Sequence, residues 1–253
     1  MKSFNFKSAT NTKEAGKMIS GRATFLAGGM TLIPAIKLRL AAYSDLINIK
    51  KIKSLSGIKV SSKSLRIGAT TTHATVAASK EVGKSIPSLA VLAEGIGDPQ
   101  VRNRGTIGGS VANNDPAADY PSACLALNAV IHTSKRKISA DKFFKGMFET
   151  DLKKGELIES VEFEVPEKSA YAKFLNPASR YALVGVYVAK LKKEIRVAIT
   201  GVESCVFRCT KLEEALTNNF SPSAIDNVNI SSEGFNADIH ASAEYRAHII
   251  KVM

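Results

Sequence analysis

Three features of the sequence predict an α+β fold. A strand, a glycine turn, a helix and a second strand follow one another between Ala23 and Ile49. A segment rich in glycine, proline and amides, Asp98–Pro121, shows neither a helical nor a strand period and is predicted to be a surface loop. The last third begins with alternating strands and ends in helices, as expected for a sheet with helices packed against it. The 253 residues are enough for two or three modest domains.

The composition excludes several classes of protein. Hydrophobic residues make up 45%, as in ordinary globular proteins. The longest apolar run, around Ala182–Ala189, is too short to cross a bilayer, and no secretory signal pattern is present. Three cysteines are too few for a disulfide framework or for the four ligands of an iron–sulfur cluster. The expectation is a soluble, cytoplasmic chain without a transmembrane segment.

A formal net charge of +12 raises the question of a nucleic-acid or membrane partner. The lysines, however, occur in short groups at predicted turns, such as Lys50–Lys53 and Lys192-Lys193. No aromatic residues alternate with them, as a base-stacking groove would require. Solvated faces are therefore predicted, with no nucleic-acid partner. Part of the positive charge can complement an acidic partner subunit.

The first part of the chain contains a glycine pair that precedes a helix. After Gly28 and Gly29, the residues Leu32, Ile33 and Ile36 recur at helical spacing, and Thr31 is placed to cap that helix. Anions bind well at such a turn, although the spacing is not that of the Rossmann fingerprint. The other predicted elements are strands at Phe4–Lys7, Ala23–Leu26 and Asp45–Ile49, and a helix at Asn11–Ile19 with Thr10 as its candidate cap.

A boundary near Gly57 introduces the middle of the chain, where strands and helices again mix. Strands are predicted at Ser64–Ile67, Ala129–Thr133, Lys137–Ser139 and Leu157–Val165; helices are predicted at Pro87–Ile96, at Ser122–Leu127, and up to Ala78 after a cap at Thr71 or Thr72.

The glycine-rich segment holds a second candidate binding turn, Thr106-Ile107-Gly108-Gly109-Ser110. Glycines without Cβ atoms can adopt φ > 0 and let a ligand approach the main chain closely. Successive N–H groups can then point into one concavity that suits a pyrophosphate. Together with Ala27-Gly28-Gly29-Met30-Thr31, this turn predicts two loops that hold one dinucleotide between them.

The last third is predicted to be an antiparallel meander followed by helices. Its strands are Ala170–Leu175, Val184–Leu191 and Ile195–Val202, with a hairpin tip at Lys192–Glu194. A capping-box pattern at Thr210–Glu213, a helix opening at Ser221-Pro222, and a final helix at Ser242–Val252 follow.

Four stretches carry a resemblance that covers nearly the whole chain: AGGMTLIPAIKLRL, IGATTTHATV, IGDPQVRNRGTIGGSVANNDPAADYPSACLAL and KFLNPASRYALVGV. They resemble the medium, FAD-binding subunit of aerobic carbon monoxide dehydrogenases, which belong to the xanthine-oxidase family of molybdenum hydroxylases. The resemblance implies two FAD-binding α+β subdomains of the vanillyl-alcohol-oxidase (PCMH) type, residues 1–57 and 58–166. It also implies a C-terminal domain, residues 167–253, with a small antiparallel sheet and a helical bundle.

The resemblance also implies roles for individual residues. Asp119 matches an acid near the ribityl chain of the flavin, and Ile158 matches an apolar residue near its ring. Lys173 and Tyr181 match positions beside the isoalloxazine. The residues that match the two pyrophosphate loops are Ala27, Gly28, Gly29, Met30, Thr31, Thr106, Ile107, Gly108, Gly109 and Ser110.

The cofactor implied by the resemblance is non-covalently bound FAD. Some related flavoproteins carry a histidine at the position of Met30, and in some a histidine of that loop bonds covalently to the flavin. Methionine cannot form that bond. His73 and His132 lie outside both loops and are not expected to contact the cofactor. No histidine has the spacing of a catalytic triad or a metal site.

The predicted function is electron transfer, with no catalytic residue in this chain. The resemblance implies a large molybdopterin subunit, a small subunit with two [2Fe-2S] clusters, and a dimer of such heterotrimers. FAD would take electrons from the clusters and pass them to an external acceptor; the molybdopterin and the clusters belong to the partners. Two alternatives remain: a stand-alone FAD-dependent oxidoreductase, and a non-enzymatic protein that binds phosphate-rich ligands or nucleic acid.

Overall fold

A computed structural model describes residues 1–253, which form three main β-sheets, one small hairpin and eleven α-helices. The first sheet is parallel and the other two are antiparallel. The α+β fold predicted from the sequence is confirmed. No helix has the combined length and apolar character needed to cross a membrane.

The first sheet has three strands in the order β1-β3-β2, with the central β3 parallel to both neighbours. Its elements are β1 (Asn5–Ser8), α1 (Thr12–Met18), β2 (Ala23–Leu26), α2 (Leu32–Lys37) and β3 (Asp45–Asn48). The predicted cap of α1 is wrong by one residue, because the side chain of Asn11 accepts the N–H of Glu14 at 2.8 Å. Thr31 precedes α2 as predicted but makes no side-chain capping bond.

The second sheet has five strands in the order β4-β5-β10-β6-β7, and all its pairs are antiparallel. A short 3₁₀ turn at Lys53–Leu55 leads into it. The strands, with the separate β8–β9 hairpin, are β4 (Ile58–Val60), β5 (Ser64–Gly68), β6 (Val130–Thr133), β7 (Lys137–Ser139), β8 (Phe144–Gly146), β9 (Glu149–Thr150) and β10 (Ile158–Glu164). The accompanying helices are α3 (His73–Ala78), α4 (Lys80–Ser85), α5 (Pro87–Glu94), α6 (Pro99–Arg104), α7 (Ile107–Asn113), α8 (Tyr120–Ala126) and α9 (Ala140–Phe143).

The loop predicted at Asp98–Pro121 is wrong, because this segment contains α6, α7 and the first two residues of α8. Side-chain caps explain both new helices. Asp98 accepts the N–H of Val101 at 2.7 Å, and Thr106 accepts the N–H of Gly109 at 3.2 Å. Such caps stabilise a helix by about 1 kcal/mol, enough to offset the poor helix propensity of one glycine.

The third sheet is an antiparallel meander in the order β11-β12-β13-β14, as predicted for the last third. Its elements are β11 (Lys168–Leu175), β12 (Ala182–Lys190), β13 (Ile195–Thr200), β14 (Phe207–Arg208), α10 (Thr210–Asn218), a 3₁₀ turn at Pro222–Ile225 and α11 (Ala243–Val252). The predicted capping box is wrong. Thr210 already lies inside α10, and Glu213 accepts the N–H of Val197 at 2.9 Å and pairs with Arg208.

The largest buried cluster extends across the predicted boundary at residues 166/167. It joins Ile131 and Phe163 of the second sheet to Tyr187 and Ala198 of the third. The Tyr187 hydroxyl lies 2.6 Å from the Ser88 hydroxyl of α5 within this core. Two smaller clusters lie beneath the third and the first sheet. The second and third sheets therefore share one core, and the division into three domains stays a prediction.

Candidate functional site

A cavity of about 660 Å³ opens between the three sheets. Its volume lies in the range of about 300–1,000 Å³ that is usual for small-molecule and cofactor sites. Half of its 35 lining residues are hydrophobic, 18 in all, so the wall combines apolar surface with polar groups. Residues from all three predicted domains contribute, among them Gly28, Thr106 and Tyr181.

Most of the residues predicted from the sequence line this one cavity: Ala27, Gly28, Gly29, Met30, Thr31, Thr106, Gly108, Gly109, Ser110, Asp119, Ile158 and Tyr181. Two do not. The side chain of Ile107 is fully buried in the largest core cluster, and Lys173 lies beside Asp119 without forming part of the wall. The structure thus brings together residues that are up to 154 positions apart, from Ala27 to Tyr181.

The first loop, Ala27–Thr31, presents a row of backbone donors. It joins β2 to α2, and Gly29 has the positive φ, 79°, that the turn requires. The N–H groups of Gly28, Gly29, Met30 and Thr31 have no acceptor within the chain. Four successive donors in the wall of a cavity suit an anion with several oxygens, such as a pyrophosphate.

The second loop uses its donors differently. The N–H of Ile107 donates to Thr71 at 3.1 Å, that of Gly108 to Ala69 at 2.9 Å, and that of Gly109 to the Thr106 hydroxyl. The N–H of Ser110 donates to the carbonyl of Thr106 at 3.0 Å, so in this loop only the N–H of Thr106 has no acceptor within the chain. Gly108 and Gly109 lie in the first turn of α7 and lack positive φ, so the predicted φ > 0 is wrong there.

Close backbone packing explains two of the glycines. A Cβ atom on Gly108 would lie 2.5 Å from the Cβ of Ala69. A Cβ atom on Gly28 would lie 2.8 Å from the Cα of Gly105, which directly precedes the second loop. Both distances are far below ordinary van der Waals contact. These glycines therefore let one part of the main chain approach another, and the approach of Gly28 to Gly105 brings the two loops together.

A buried polar cluster lies at another part of the wall. Asp119 is 5% exposed, and its Oδ1 lies 3.0 Å from the ammonium of Lys173 and accepts a hydrogen bond from the Tyr171 hydroxyl. Burial raises the pKa of Asp119, whereas the charge of Lys173 and the hydrogen bond from Tyr171 act in the opposite direction. Burial and the neighbouring carboxylate raise the pKa of Tyr171, so its hydroxyl remains a donor.

Apolar and aromatic side chains complete the wall. Phe25, Ile96 and Ile158 line it together with Tyr181, which is 45% exposed. A flavin ring needs such apolar and aromatic neighbours, and its phosphates need donors. The cavity offers both, so its residues fit FAD.

Sequence reasoning missed several residues of the cavity, of which His73 is the most informative. Its side chain is buried at 5% exposure and lines the cavity next to Gly105. Glu156 and Arg180 also line the wall. No short-range pattern marks these positions, because the folding of distant segments brings them to the cavity.

The fold and the cavity are those of a nucleotide-cofactor-binding protein, and similarity to known proteins specifies its family. Residues 2–167 match the family described as the FAD binding domain in molybdopterin dehydrogenase. The chain belongs to this family, as the resemblance predicted. It is an FAD-binding medium subunit of the molybdenum hydroxylase class of oxidoreductases.

Individual relatives cover nearly the whole chain. The glyceraldehyde dehydrogenase medium chain of Sulfolobus acidocaldarius is 35% identical over 272 residues, 99% of this chain and 95% of the relative. The carbon monoxide dehydrogenase medium chain of Hydrogenophaga pseudoflava is 37% identical over 200 residues, 74% of this chain and 69% of the relative.

Solved structures show the same fold. A chain of reconstituted CO dehydrogenase from Oligotropha carboxidovorans superposes with a TM-score of 0.93 at 27% identity, covering 100% of this chain and 95% of the other. A chain of quinoline 2-oxidoreductase from Pseudomonas putida 86 gives a TM-score of 0.89 at 27% identity, with the same coverage.

Proposed function

We propose that this chain is the electron-transfer subunit of a multi-subunit molybdenum hydroxylase. It receives electrons from the [2Fe-2S] clusters of a small partner subunit and passes them to an external acceptor. A large molybdopterin subunit oxidises the substrate. When bound, FAD supplies both one-electron and two-electron chemistry. The names of two relatives support this assembly: nicotine 6-hydroxylase medium subunit, and 6-hydroxypseudooxynicotine dehydrogenase complex subunit alpha, both of Paenarthrobacter nicotinovorans.

The observation that carries the proposal is the row of four free N–H groups from Gly28 to Thr31 in the wall of an otherwise largely apolar cavity. These donors hold the pyrophosphate of FAD. Ile158 and Tyr181 pack near the flavin ring. Lys173 fixes the carboxylate of Asp119 in position, and this carboxylate faces the ribityl chain of the cofactor. The chain binds and orients the cofactor, and its charges influence the reduction potential.

The proposed assembly is a cytoplasmic dimer of heterotrimers. The excess of positive charge on this chain, +12, favours contact with an acidic partner surface. Co-expression of the three subunits followed by a mass measurement in solution tests it. A complex with two copies of each subunit is the expected result, and a medium subunit that stays monomeric beside its partners would contradict it.

The function is tested by anaerobic stopped-flow absorbance at the flavin band, with and without the two partner subunits. Carbon monoxide, aldehydes and purines serve as candidate substrates. We expect no bleaching in the isolated FAD-loaded chain and rapid bleaching in the complex with its own substrate. Bleaching in the isolated chain would identify a stand-alone oxidoreductase. Failure of the wild-type chain to bind FAD would refute the cofactor assignment itself.

A further inference from the structure

His73 packs against Gly105, the residue directly before the second loop. It is the first residue of α3, directly after the N-cap Thr72, and its backbone N–H donates to the carbonyl of Gly105 at 3.0 Å. A Cβ atom on Gly105 would lie 2.6 Å from the Nε2 atom of His73. Gly105 also packs against Gly28 of the first loop. The imidazole, Gly105 and Gly28 therefore follow one another along the cavity wall.

The two ring nitrogens of His73 have different surroundings. Nδ1 is sealed from solvent and has no hydrogen-bond partner. Nε2 makes no hydrogen bond within the chain but is not sealed, and the residue lines the cavity. A neutral imidazole carries its proton on one nitrogen only. Only on Nε2 can that proton find an acceptor, namely an atom of a ligand in the cavity.

The charge of His73 follows from its neighbours. Burial, and to a smaller extent the positive charge of Arg102 on α6, lower the pKa of His73 to about 4. The other ionisable side chain in contact is Tyr120 of α8, whose ring centre lies 5.4 Å from the imidazole centre. No carboxylate forms a hydrogen bond or an ion pair with the ring. At neutral pH His73 is thus an uncharged donor.

We propose that His73 is a cofactor-positioning residue whose Nε2–H donates a hydrogen bond to a pyrophosphate oxygen of FAD. The glycine N–H groups of the second loop are engaged within the protein, so that side of the cavity has few donors to offer. The side chain of His73 supplies one there, in addition to the free N–H groups of the first loop. This inference rests on the proposed binding of FAD in the cavity.

Three substitutions separate a donor role from a packing role. In His73→Gln the amide nitrogen can reach the position of Nε2, in His73→Asn it lies near the position of Nδ1, and in His73→Leu no donor remains. The dissociation constant of FAD is measured by calorimetric titration of each apo chain. Loss of a hydrogen bond to a charged group weakens affinity about ten- to a hundred-fold. We expect that loss in the Leu and Asn variants, and less than about three-fold in the Gln variant.

A matched control is His132→Gln. His132 is also buried and forms a 2.7 Å contact with Glu162, but it lies outside the cavity wall. Its substitution should leave the affinity for FAD unchanged. Thermal unfolding of every apo variant shows whether it is folded before titration.

Two results would overturn the assignment. If the His73→Leu variant bound FAD as tightly as the wild type, the proposed hydrogen bond would be refuted. Equal weakening in the Gln and Leu variants would show that His73 contributes through packing alone. ¹⁵N NMR of histidine-labelled, FAD-loaded wild type needs no variant, and a proton on Nδ1 instead of Nε2 would also refute the proposal. Failure of the wild-type protein to bind FAD would instead refute the proposed function.

Discussion

The ammonium of Lys173 lies 3.0 Å from Oδ1 of Asp119, and both side chains are almost sealed from solvent, at 7% and 6% exposure. The same ammonium donates to the carbonyls of Gly95, 2.8 Å away, and Arg180, 3.1 Å away. Lys173 therefore ties together the start of α8, the end of α5 and the segment after β11. Its predicted position beside the isoalloxazine stays a prediction, but its role in fixing this part of the wall follows from the contacts.

Removal of the carboxylate from this pair should destabilise the apo protein. Asp119→Ala leaves the buried ammonium without a counter-ion, which lowers the free energy of unfolding by about 3–5 kcal/mol. Urea denaturation measures the change. Glu167→Gln is the control, since Glu167 is 48% exposed and lies 3.8 Å from Lys190. An exposed pair of this kind contributes at most about 1 kcal/mol, so equal losses in both variants would contradict the prediction.

The glycines of the two loops should differ in their tolerance of a methyl group. Gly28→Ala and Gly108→Ala force backbone against backbone, so we expect affinity for FAD to fall by at least about ten-fold, or about 1.4 kcal/mol. A Cβ atom on Gly109 meets only the Thr106 hydroxyl, at 2.9 Å. Gly109→Ala should therefore mainly weaken the cap of α7, by about 1 kcal/mol of stability. Calorimetric titration and urea denaturation of the three variants test this order, and uniform effects would refute it.

The stability of the apo protein should decrease in acid because of His73. Its pKa is lowered from 6.5 to about 4 on folding, so below pH 6.5 the unfolded chain binds a proton that the folded chain does not. The resulting decrease in the free energy of unfolding is absent above pH 6.5 and reaches about 2–3 kcal/mol at pH 4.5. The measurement is the change in unfolding free energy between pH 7.5 and 4.5, in wild type and in His73→Gln. A similar change in both proteins would show that His73 is not responsible.

The flavin should be released intact when the holoprotein is denatured. Met30 is 37% exposed in the cavity wall and has no group that can bond covalently to a flavin. Acid precipitation followed by chromatography of the supernatant is the test, and FAD is the expected product. A yellow pellet would demonstrate a covalent link. Recovery of FMN alone would contradict the assignment of a pyrophosphate to the first loop.

Strands were the part of the fold that the sequence predicted best. Strand Ala23–Leu26 has the predicted bounds, and the meander of the last third has its predicted order. The principal error was the segment from Asp98 to Pro121, because its helices are only six or seven residues long and α7 contains two glycines. Helices this short depend on caps and tertiary packing, which leave little periodicity in the sequence.

The site was predictable where it is local and missed where it is assembled from distant segments. The loop Ala27–Thr31 is recognisable as a glycine turn before a helix. Its neighbour in space, His73, comes from a helix that carries no binding motif. The need for glycine at position 108 could not be predicted from the sequence either, because the contact that excludes a Cβ atom there is with Ala69 of another segment.

The core shared by the second and third sheets constrains how such a gene can be rearranged. A fragment that ended at residue 166 would encode α8 without the strands β12 and β13 that pack against it. The Thr200 hydroxyl, which donates to the carbonyl of Ala118 at 2.7 Å, and Arg196, which pairs with Asp141 at 3.1 Å, would be lost with them. Recombination at this point would join surfaces that have not adapted to each other. A functional recombinant would therefore need matching surfaces on both sheets, because the contacts between them come from both sides of the junction.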